Sequence, residues 1–361
     1  MGELKLMKGN EAYAEGLIRA GADGYFGYPI TPQSEVIEYL MAEKPHERTG
    51  MVVLQAESEV AAINMVYGGA AAGKRVATSS SSPGISLKQE GISYMAGAEL
   101  PGVILNVVRG GPGLGTIQPS QADYFQSVKG GGHGDYKLLV LAPASAQEMF
   151  DFAGLGLELA FKYRTPILIL SDGVIGQMME KVVLSDQVKR LTDQEIYDKY
   201  GDWATVGRTG KRERNIITSL HLVSEKMEKH NEHLLAKYQQ MEAEEVRFEE
   251  FNTDDAEYLF VAYGSSARIS QKAMQLARDK GIKVGLLRPI TLFPYPKKRI
   301  NELASQVKGI LSVEMSQGQM VEDVMLAVEG KAKVAHFGHV GGVIPTPDEI
   351  VNALEQKIIG G

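Results

Sequence analysis

Residues 51–84 read MVVLQAESEVAAINMVYGGAAAGKRVATSSSSPG, and this stretch determines the predicted fold. The apolar run Met51–Leu54 predicts a short buried strand, and the small-residue segment Glu59–Ala72 predicts a closely packed helix. A second strand is predicted at Arg75–Thr78, before a serine-rich loop that ends at Gly84. Because a strand, a helix and another strand follow one another, the stretch indicates one unit of a parallel sheet.

The same alternation continues on both sides of this stretch. Helices and strands are predicted in turn at Asn10–Ala20, Gly24–Tyr28, Ser34–Met41, Gly102–Val108, Lys137–Leu141, Ala146–Tyr163 and Pro166–Leu170. This pattern predicts an α/β fold, a doubly wound parallel sheet with helices on both faces. In such sheets ligands bind beyond the carboxyl ends of the strands, and here Gly-, Ser- and Pro-rich loops follow the strands.

The chain of 361 residues has room for two domains and an insertion. We predict a first α/β domain at residues 1–185, a helical insertion or linker at 186–250 and a second α/β domain at 251–361. Within the insertion, Ile216–Glu250 is highly charged and free of Gly and Pro, which predicts a long amphipathic helix or a helical hairpin. A solvated connector and a subunit-contact arm fit this segment equally well. The second domain has predicted strands at Tyr258–Tyr263, Lys283–Leu287 and Lys308–Glu314, a turn at Gly264–Ser266, and helices at Ser270–Lys280 and Val321–Val328.

Composition excludes several classes of function. With 38 Lys and Arg against 45 Asp and Glu, the net charge of −7 argues against nucleic acid or an anionic membrane as a partner. Cysteine is absent, so the chain has no disulfide, no thiolate nucleophile and no cysteine-ligated iron–sulfur cluster. The sequence shows neither a signal peptide nor an apolar run of membrane-spanning length, and we expect a soluble cytoplasmic protein.

Two glycine-rich segments resemble nucleotide-binding loops but do not fit them. Gly68–Arg75 lacks the hydroxyl that a phosphate loop places on Mg²⁺, and it follows a helix where that loop would follow a strand. Gly110-Gly-Pro-Gly-Leu-Gly115 lacks the spacing of the dinucleotide fingerprint. We interpret the first segment as a close-packed helix end and the second as a sharply bent strand-to-loop junction.

Thr31 lies between two prolines in Tyr28-Pro-Ile-Thr-Pro32, which predicts a fixed hydroxyl at a strand end, in front of a helix. A donor beside a helix N-terminus favours an anion such as a carboxylate, although a cap without ligand fits equally well. Glu57 and Glu59 stand between a strand and the small-residue helix. An acid there either caps the helix or, within an apolar cleft, exchanges a proton with a ring nitrogen.

Arg109 follows an apolar strand and faces the loop that contains Gly113. Its guanidinium is suited to a bidentate carboxylate contact, and a structural ion pair is the alternative. The loop with Ser81 and Ser82 is either an anion-binding nest or an ordinary polar turn. His133 lies in a glycine loop and is a further candidate. Since no cluster of ligand residues stands out, we expect no metal held by this chain alone.

Taken in order, these motifs resemble the alpha subunit of the 2-oxoacid:ferredoxin oxidoreductase family. The resemblance rests on Met7–Ala12, Gly27–Pro32, Gln55–Met65, Thr78–Gly84, Arg109–Gly115, Arg288–Pro294, Val313–Gln319 and Gly341–Pro347. Three segments are most similar to the branched-chain, 2-oxoisovalerate type: Ser79–Gly84, Gly111–Gly115 and Lys129–Asp135. The alternatives are a 2-oxoglutarate- or pyruvate-specific member, a ferredoxin-independent thiamine enzyme subunit and a non-catalytic scaffold.

The resemblance implies oxidative decarboxylation of a 2-oxoacid on thiamine diphosphate, with acyl transfer to coenzyme A and electron transfer to ferredoxin. The chain lacks the GDG…Asn pattern of thiamine enzymes, so a beta subunit is expected to hold the diphosphate and Mg²⁺. Iron–sulfur clusters are expected only on partner subunits, one on the beta subunit and more on a small ferredoxin-like subunit. A gamma subunit is expected as a further partner. We also expect self-association, and weak or no binding of thiamine diphosphate to the isolated chain.

The resemblance also assigns roles to individual residues. Glu59 is expected to contact the aminopyrimidine ring of the cofactor, with Glu57 as the alternative. Thr31 and Arg109 are expected to hold the carboxylate and oxo group of the substrate. The first domain resembles the pyrimidine-type domain of thiamine enzymes. The second resembles the transketolase C-terminal domain and is expected to serve assembly, with a coenzyme A contact that the sequence does not locate.

Overall fold

A computed structural model describes residues 3–208 and 213–360, whose strands form three β-sheets. Strands β1 to β14 span, in chain order, Glu3–Lys8, Gly24–Gly27, Val52–Gln55, Val76–Ser80, Gly102–Val108, Leu139–Leu141, Pro166–Asp172, Met179–Leu184, Phe248–Phe251, Tyr258–Ala262, Val284–Pro289, Thr291–Phe293, Gly309–Val313 and Lys333–Phe337. Helices α1 to α14 span Gly9–Arg19, Ser34–Glu43, Pro45–Arg48, Glu59–Ala71, Pro83–Gly97, Tyr124–Val128, Ala146–Tyr163, Gly173–Gln177, Asp193–Tyr200, Ser224–Glu244, Gly264–Asp279, Lys297–Ala304, Met320–Val328 and Pro347–Leu354. A π-helical turn, Glu355–Ile359, follows α14.

The first large sheet has the strand order β12-β6-β7-β5-β4-β2-β3, and all strands except β12 run parallel. Helices α1 and α7 pack against each other, and α4 and α5 form a second packed pair. Every residue of the central strand β5 is buried, as expected for the interior of a parallel sheet. The predicted doubly wound α/β fold is therefore confirmed.

The strand predicted at Met51–Leu54 is present but is not buried. It forms β3 at the edge of the sheet, where Val52 and Leu54 are 51% and 39% exposed. An apolar run predicts a strand, but its place in the sheet depends on which strand it pairs with, and β3 pairs with β2 alone. The sequence also gave no sign of the antiparallel pair of β1 and β8.

The predicted helix at Ile216–Glu250 is shorter in the structure. Helix α10 ends at Glu244, and Phe248–Phe251 forms β9, which pairs antiparallel with β11. The alternation Phe-Glu-Glu-Phe suits a half-buried edge strand, so the apolar periodicity changes before residue 250. One stripe of α10 packs into the core of the first unit through Leu234, Tyr238 and Met241.

The second sheet has the order β14-β13-β10-β11-β9, in which only β9 is antiparallel. The predicted turn at Gly264–Ser266 is wrong, because α11 already begins at Gly264. Strand β12 leaves this unit and pairs with β6 of the first sheet, which ties the two units together. The predicted domain limits at 185 and 250 stay predictions. Within the described residues, no helix combines the length and apolar character needed to cross a membrane.

Candidate active site

The loops beyond β4 and β5 open into a cleft of about 860 Å³. One wall comes from the first unit and the other from the loops that follow β13 and β14 of the second. Of the residues predicted from sequence, Ser82, Arg109 and Gly113 line the cleft. The position agrees with the rule that ligands of parallel sheets bind at the carboxyl ends of the strands.

Arg109 contributes a positive charge to this cleft. Its Nη1 donates to the carbonyl oxygen of Thr31 at 3.0 Å, and its Nη2 donates to the carbonyl oxygen of Leu114 at 3.0 Å. Its Nε is buried without a hydrogen-bond partner, and no carboxylate among the described residues lies within ion-pair distance. The guanidinium is therefore held by neutral carbonyl groups, and its charge is not balanced by a carboxylate. Within residues 3–208 and 213–360 it forms no structural ion pair and is free to bind an anion.

The structure brings Thr31 to Arg109 through the main chain. The carbonyl oxygen of Thr31 accepts a hydrogen bond from the guanidinium. The side chain of Thr31 is exposed and makes no hydrogen bond to the residues described. Gln33 takes the N-cap position of α2 instead, so Thr31 is not the cap. Its hydroxyl is thus available beside the Arg109 cation.

Glu59 occupies the first turn of α4 and is 6% exposed, whereas Glu57 is exposed. No group in the described parts of the chain donates a hydrogen bond to the Glu59 carboxylate. A methyl group at Gly84 would overlap Ser80 Oγ and lie 2.7 Å from Oε1 of Glu59, so only glycine lets the start of α5 pack this closely against the carboxylate. The helix cap is supplied by Ser58, whose hydroxyl accepts from the amide of Ala61. Glu59 is therefore a buried acid with free hydrogen-bonding capacity.

Lys88 lies fully buried beside Glu59. Its ammonium donates to Thr78 Oγ1 at 3.1 Å and to the carbonyl oxygen of Glu59 at 3.4 Å. Burial lowers the pKa of Lys88 to about 8, although the charge of Glu59 opposes this shift. The sequence analysis missed Lys88, yet it shares the apolar stripe of α5 with Ile85 and Ile92 at helical spacing, and a lysine in that stripe is the signal.

The junction of β4 and α5 combines buried hydroxyls with an unusual backbone. Ser80 and Ser81 each bury an Oγ without a hydrogen-bond partner. Ser82 has φ 29° and ψ −85°, a conformation that residues with a side chain rarely adopt. Strain of this kind is of order 1–3 kcal/mol and persists where the surroundings enforce it. At this junction the backbone conformation of Ser82 is maintained by its hydrogen bonds to residues at the ends of neighbouring strands and helices.

Asp123 is a second residue that sequence reasoning missed. It lines the cleft, and its Oδ2 accepts from Ser82 Oγ at 2.8 Å and from Asn106 Nδ2 at 2.9 Å. Burial raises the pKa of Asp123, and the two hydrogen bonds oppose the shift. The available signal was Asn106, the one polar side chain in the otherwise apolar strand β5, which needs a buried partner.

The second unit completes the cleft through the loop between β13 and α13. Glu314 is fully buried and accepts from the main-chain amides of Gln319, Met320 and Val321, so it fixes the start of α13. Gln319 in turn donates to the carbonyl oxygen of Ala122 at 2.7 Å. The motif Val313–Gln319 thus builds a wall of the site in addition to any part in assembly.

His133 lies apart from the other candidates. It lines a separate cavity of about 380 Å³, beside Met227 and Leu234 of α10. Its carbonyl oxygen accepts from Ser93 Oγ at 2.9 Å, and its ring is exposed. The structure therefore does not bring His133 to the cleft. Gly113 does line the cleft, and its φ of 70° is a conformation that favours glycine.

Comparison with known proteins identifies the family of this chain. Residues 15–250 match the family described as "Pyruvate flavodoxin/ferredoxin oxidoreductase, thiamine diP-bdg". Residues 256–350 match "Pyruvate:ferredoxin oxidoreductase core domain II". The chain belongs to the 2-oxoacid:ferredoxin oxidoreductase family, whose members are oxidoreductases that act as complexes of several subunits.

Among individual relatives, the chain is 51% identical to the ketoisovalerate oxidoreductase subunit VorB of Methanothermobacter thermautotrophicus, over 98% of this chain and 97% of that protein. It is 36% identical to the 2-oxoglutarate synthase subunit KorA of Archaeoglobus fulgidus, over 99% of this chain and all of that protein. The branched-chain type predicted from sequence is thus the type of its more similar relative.

Solved structures show the same fold. The 2-oxoglutarate:ferredoxin oxidoreductase of Magnetococcus marinus, solved with 2-oxoglutarate, coenzyme A and succinyl-CoA, superimposes with a TM-score of 0.86 at 27% identity. The match covers 99% of this chain, which spans 66% of the length of that longer chain. A split-gene transketolase matches with a TM-score of 0.61 at 13% identity and shares the fold.

Proposed function

We propose that this chain is the subunit of a thiamine-diphosphate-dependent 2-oxoacid:ferredoxin oxidoreductase that binds the substrate and contacts the aminopyrimidine ring. The preferred substrate is 2-oxoisovalerate, which is converted to an acyl-CoA and CO₂ while ferredoxin is reduced. The observation that carries the proposal is Arg109, a buried cation in the cleft without a carboxylate partner in the described chain. The preference for 2-oxoisovalerate is supported by the higher identity to the ketoisovalerate subunit.

Arg109 and Thr31 bind and orient the oxoacid. The guanidinium pairs with the substrate carboxylate, and the adjacent hydroxyl of Thr31 donates to a substrate oxygen. Both groups lie at the carboxyl ends of the parallel strands, where two main-chain carbonyl oxygens hold the guanidinium in place. A fixed donor set of this kind lowers the entropy lost when the substrate is oriented.

The residues around Glu59 fit the aminopyrimidine end of thiamine diphosphate. The carboxyl is buried, and no described residue donates a hydrogen bond to it, so its hydrogen-bonding capacity is free for a ring nitrogen. When bound, the cofactor supplies a carbon nucleophile for the 2-oxo carbon and stabilises the electron pair left by CO₂. Glu59 holds a proton at a ring nitrogen of the cofactor, and the buried ammonium of Lys88 lies beside Glu59.

Other parts of the enzyme complex lie on partner subunits. Since the chain has no cysteine, the iron–sulfur clusters belong to the beta subunit and a ferredoxin-like subunit, and a gamma subunit is a further partner. No group of three or more acidic or His side chains among residues 3–208 and 213–360 could hold a metal, so a beta subunit supplies Mg²⁺ and the diphosphate site. An exposed apolar face near Glu59 suits the docking of that subunit and includes Leu54, Val60, Met65, Leu87 and Tyr94.

The test uses the complex purified without oxygen together with the products of neighbouring genes. Viologen reduction is followed with coenzyme A, thiamine diphosphate and, in turn, 2-oxoisovalerate, 2-oxoglutarate or pyruvate. We expect the highest kcat/KM with 2-oxoisovalerate. Glu59→Ala should lower kcat by about 10²–10⁴-fold, in the range of acid–base contributions. Exposed Glu57→Ala is the matched control and should remain active.

The possible outcomes test the substrate, the role of Glu59 and the overall activity separately. Preference for 2-oxoglutarate would refute the substrate assignment alone. Equal loss in the Glu57 and Glu59 variants would refute the role of Glu59. A complex loaded with clusters that reduces viologen with none of the three oxoacids would refute the proposed activity.

A further inference from the structure

A hydrogen-bonded group of Asp123, Ser82 and Asn106 leads to Arg109, the cation of the proposed site. Asn106 is fully buried, and Ser82 and Asp123 are half-buried. Asp123 Oδ2 accepts from the hydroxyl of Ser82 at 2.8 Å, and the main-chain amide of Arg109 donates to that same hydroxyl at 3.0 Å. Asn106 closes the group, since its Nδ2 donates to Asp123 at 2.9 Å and its Oδ1 accepts from the amide of Ser82 at 3.0 Å. The ends of β4 and β5 and the start of α6 are therefore joined at one serine.

The direction of the Ser82 hydroxyl hydrogen determines how Asp123, Ser82 and Asn106 act on Arg109. A hydroxyl has one hydrogen, which can be given to Asp123 at 2.8 Å or to the carbonyl oxygen of Arg109 at 3.3 Å. The shorter bond to a carboxylate is the stronger one, so the hydrogen points to Asp123 and a lone pair faces the Arg109 amide. Without Asp123 the hydrogen turns to the Arg109 carbonyl group, and the main-chain contact of Arg109 changes.

The backbone at Ser82 makes the junction sensitive to this loss. Its φ of 29° is rarely adopted by residues with a side chain, and the hydrogen bonds of its amide and hydroxyl hold it there. Arg109 follows β5 directly, and its guanidinium donates to the carbonyl oxygens of Thr31 and Leu114. A shift of its main chain changes the geometry of these two hydrogen bonds, and so the position of the cation in the cleft.

Asp123 is placed to act on the cleft without pairing with Arg109 itself. Its carboxyl and the guanidinium both line the cleft, but no ion pair joins them. Its second oxygen, Oδ1, has no hydrogen-bond partner among the residues the structure describes. Within the described chain, the side-chain hydrogen bonds of Asp123 thus run through Oδ2 to Ser82 and Asn106.

We infer that Asp123 is a positioning residue for substrate binding, which fixes Arg109 through the hydroxyl of Ser82. The inference rests on the proposed function, because it assigns Arg109 to the substrate carboxylate. Asp123 orients the hydroxyl, the hydroxyl fixes the main chain of Arg109, and the guanidinium meets the oxoacid in one geometry. The role depends on an acceptor oxygen at Oδ2 rather than on a negative charge.

The test compares Asp123→Ala and Asp123→Asn in the complex by viologen reduction with 2-oxoisovalerate. We expect Asp123→Ala to raise KM by about 10- to 100-fold, since misplacement of an orienting group by about 1 Å has effects of this size. Because its carbonyl oxygen can still accept from Ser82 and Asn106, Asp123→Asn should keep KM within about threefold of wild type. Asp254 is exposed and its side chain forms no hydrogen bond or ion pair with the described residues, so Asp254→Ala is the matched control for loss of an acid.

Ser82→Ala gives a second route to the same result if Asp123→Ala does not accumulate. We expect it to raise KM as much as Asp123→Ala, and the double variant to be no worse than either, because both remove one connection. A KM of Asp123→Ala equal to wild type, or an Asn variant as impaired as the Ala variant, would overturn the inference. Because wild type is measured alongside, a wild-type complex without activity refutes the proposed function and is distinguished from these results.

Discussion

Lys88 is a buried amine whose charge opposes folding, and its replacement by Met tests the electrostatics beside Glu59. Its pKa of about 8 lies below the ordinary 10.5 because burial penalises the charged form. At 1.36 kcal/mol per pKa unit, the difference corresponds to about 3 kcal/mol. Met keeps an unbranched apolar chain of similar length, so Lys88→Met removes the charge and leaves the packing.

The sign of the effect follows from proton binding. Between pH 8 and 10.5 the unfolded chain keeps the Lys88 proton that the folded chain has lost, so stability rises with pH in this window. Below pH 8 both states are protonated and the full penalty applies. The stability of wild type relative to Lys88→Met should therefore increase by about 2–3 kcal/mol between pH 7 and pH 10.

Urea unfolding of the full chain at pH 7 and pH 10, followed by circular dichroism, measures this difference. Other groups that titrate in this range are shared by the two proteins and cancel. Lys272→Met, which removes an exposed lysine of α11, controls for the loss of one positive charge. A difference between wild type and Lys88→Met that changes by less than about 0.5 kcal/mol would refute a strongly lowered pKa.

Two further predictions concern the substrate and the partner subunit. Arg109→Lys keeps a charge but loses the fork that reaches Thr31 and Leu114, so KM for the 2-oxoacid should rise at least about tenfold in the viologen assay; an unchanged KM would exclude Arg109 as the carboxylate contact. Leu87→Asp should reduce co-purification of the beta subunit, because a charge on an apolar docking face must be desolvated. Leu222→Asp, at an exposed position before α10, is the control, and equal retention in both variants would place the docking face elsewhere.

Local sequence patterns were sufficient for the elements that frame the site. Strand Gly102–Val108 and helix Ala146–Tyr163 have the predicted bounds, since a continuous apolar run and a helical apolar period are properties of neighbouring residues. The same reasoning placed Arg109 at a strand end and Glu59 at a helix start, and the structure has both there. Their roles toward substrate and cofactor stay predictions.

Only the tertiary structure decided which distant residues meet. Asp123 reaches Ser82 across 41 positions, and Gln319 reaches Ala122 across 197, so no local period contains these contacts. The strand Met51–Leu54 became an exposed edge because exposure depends on strand order, which an apolar run does not encode. His133 lies outside the cleft for the same reason, since residue type names a candidate but chain topology places it. The sequence by itself determined the fold class and the chemistry available at each strand end, and packing between the two units decided which of these groups share one cleft.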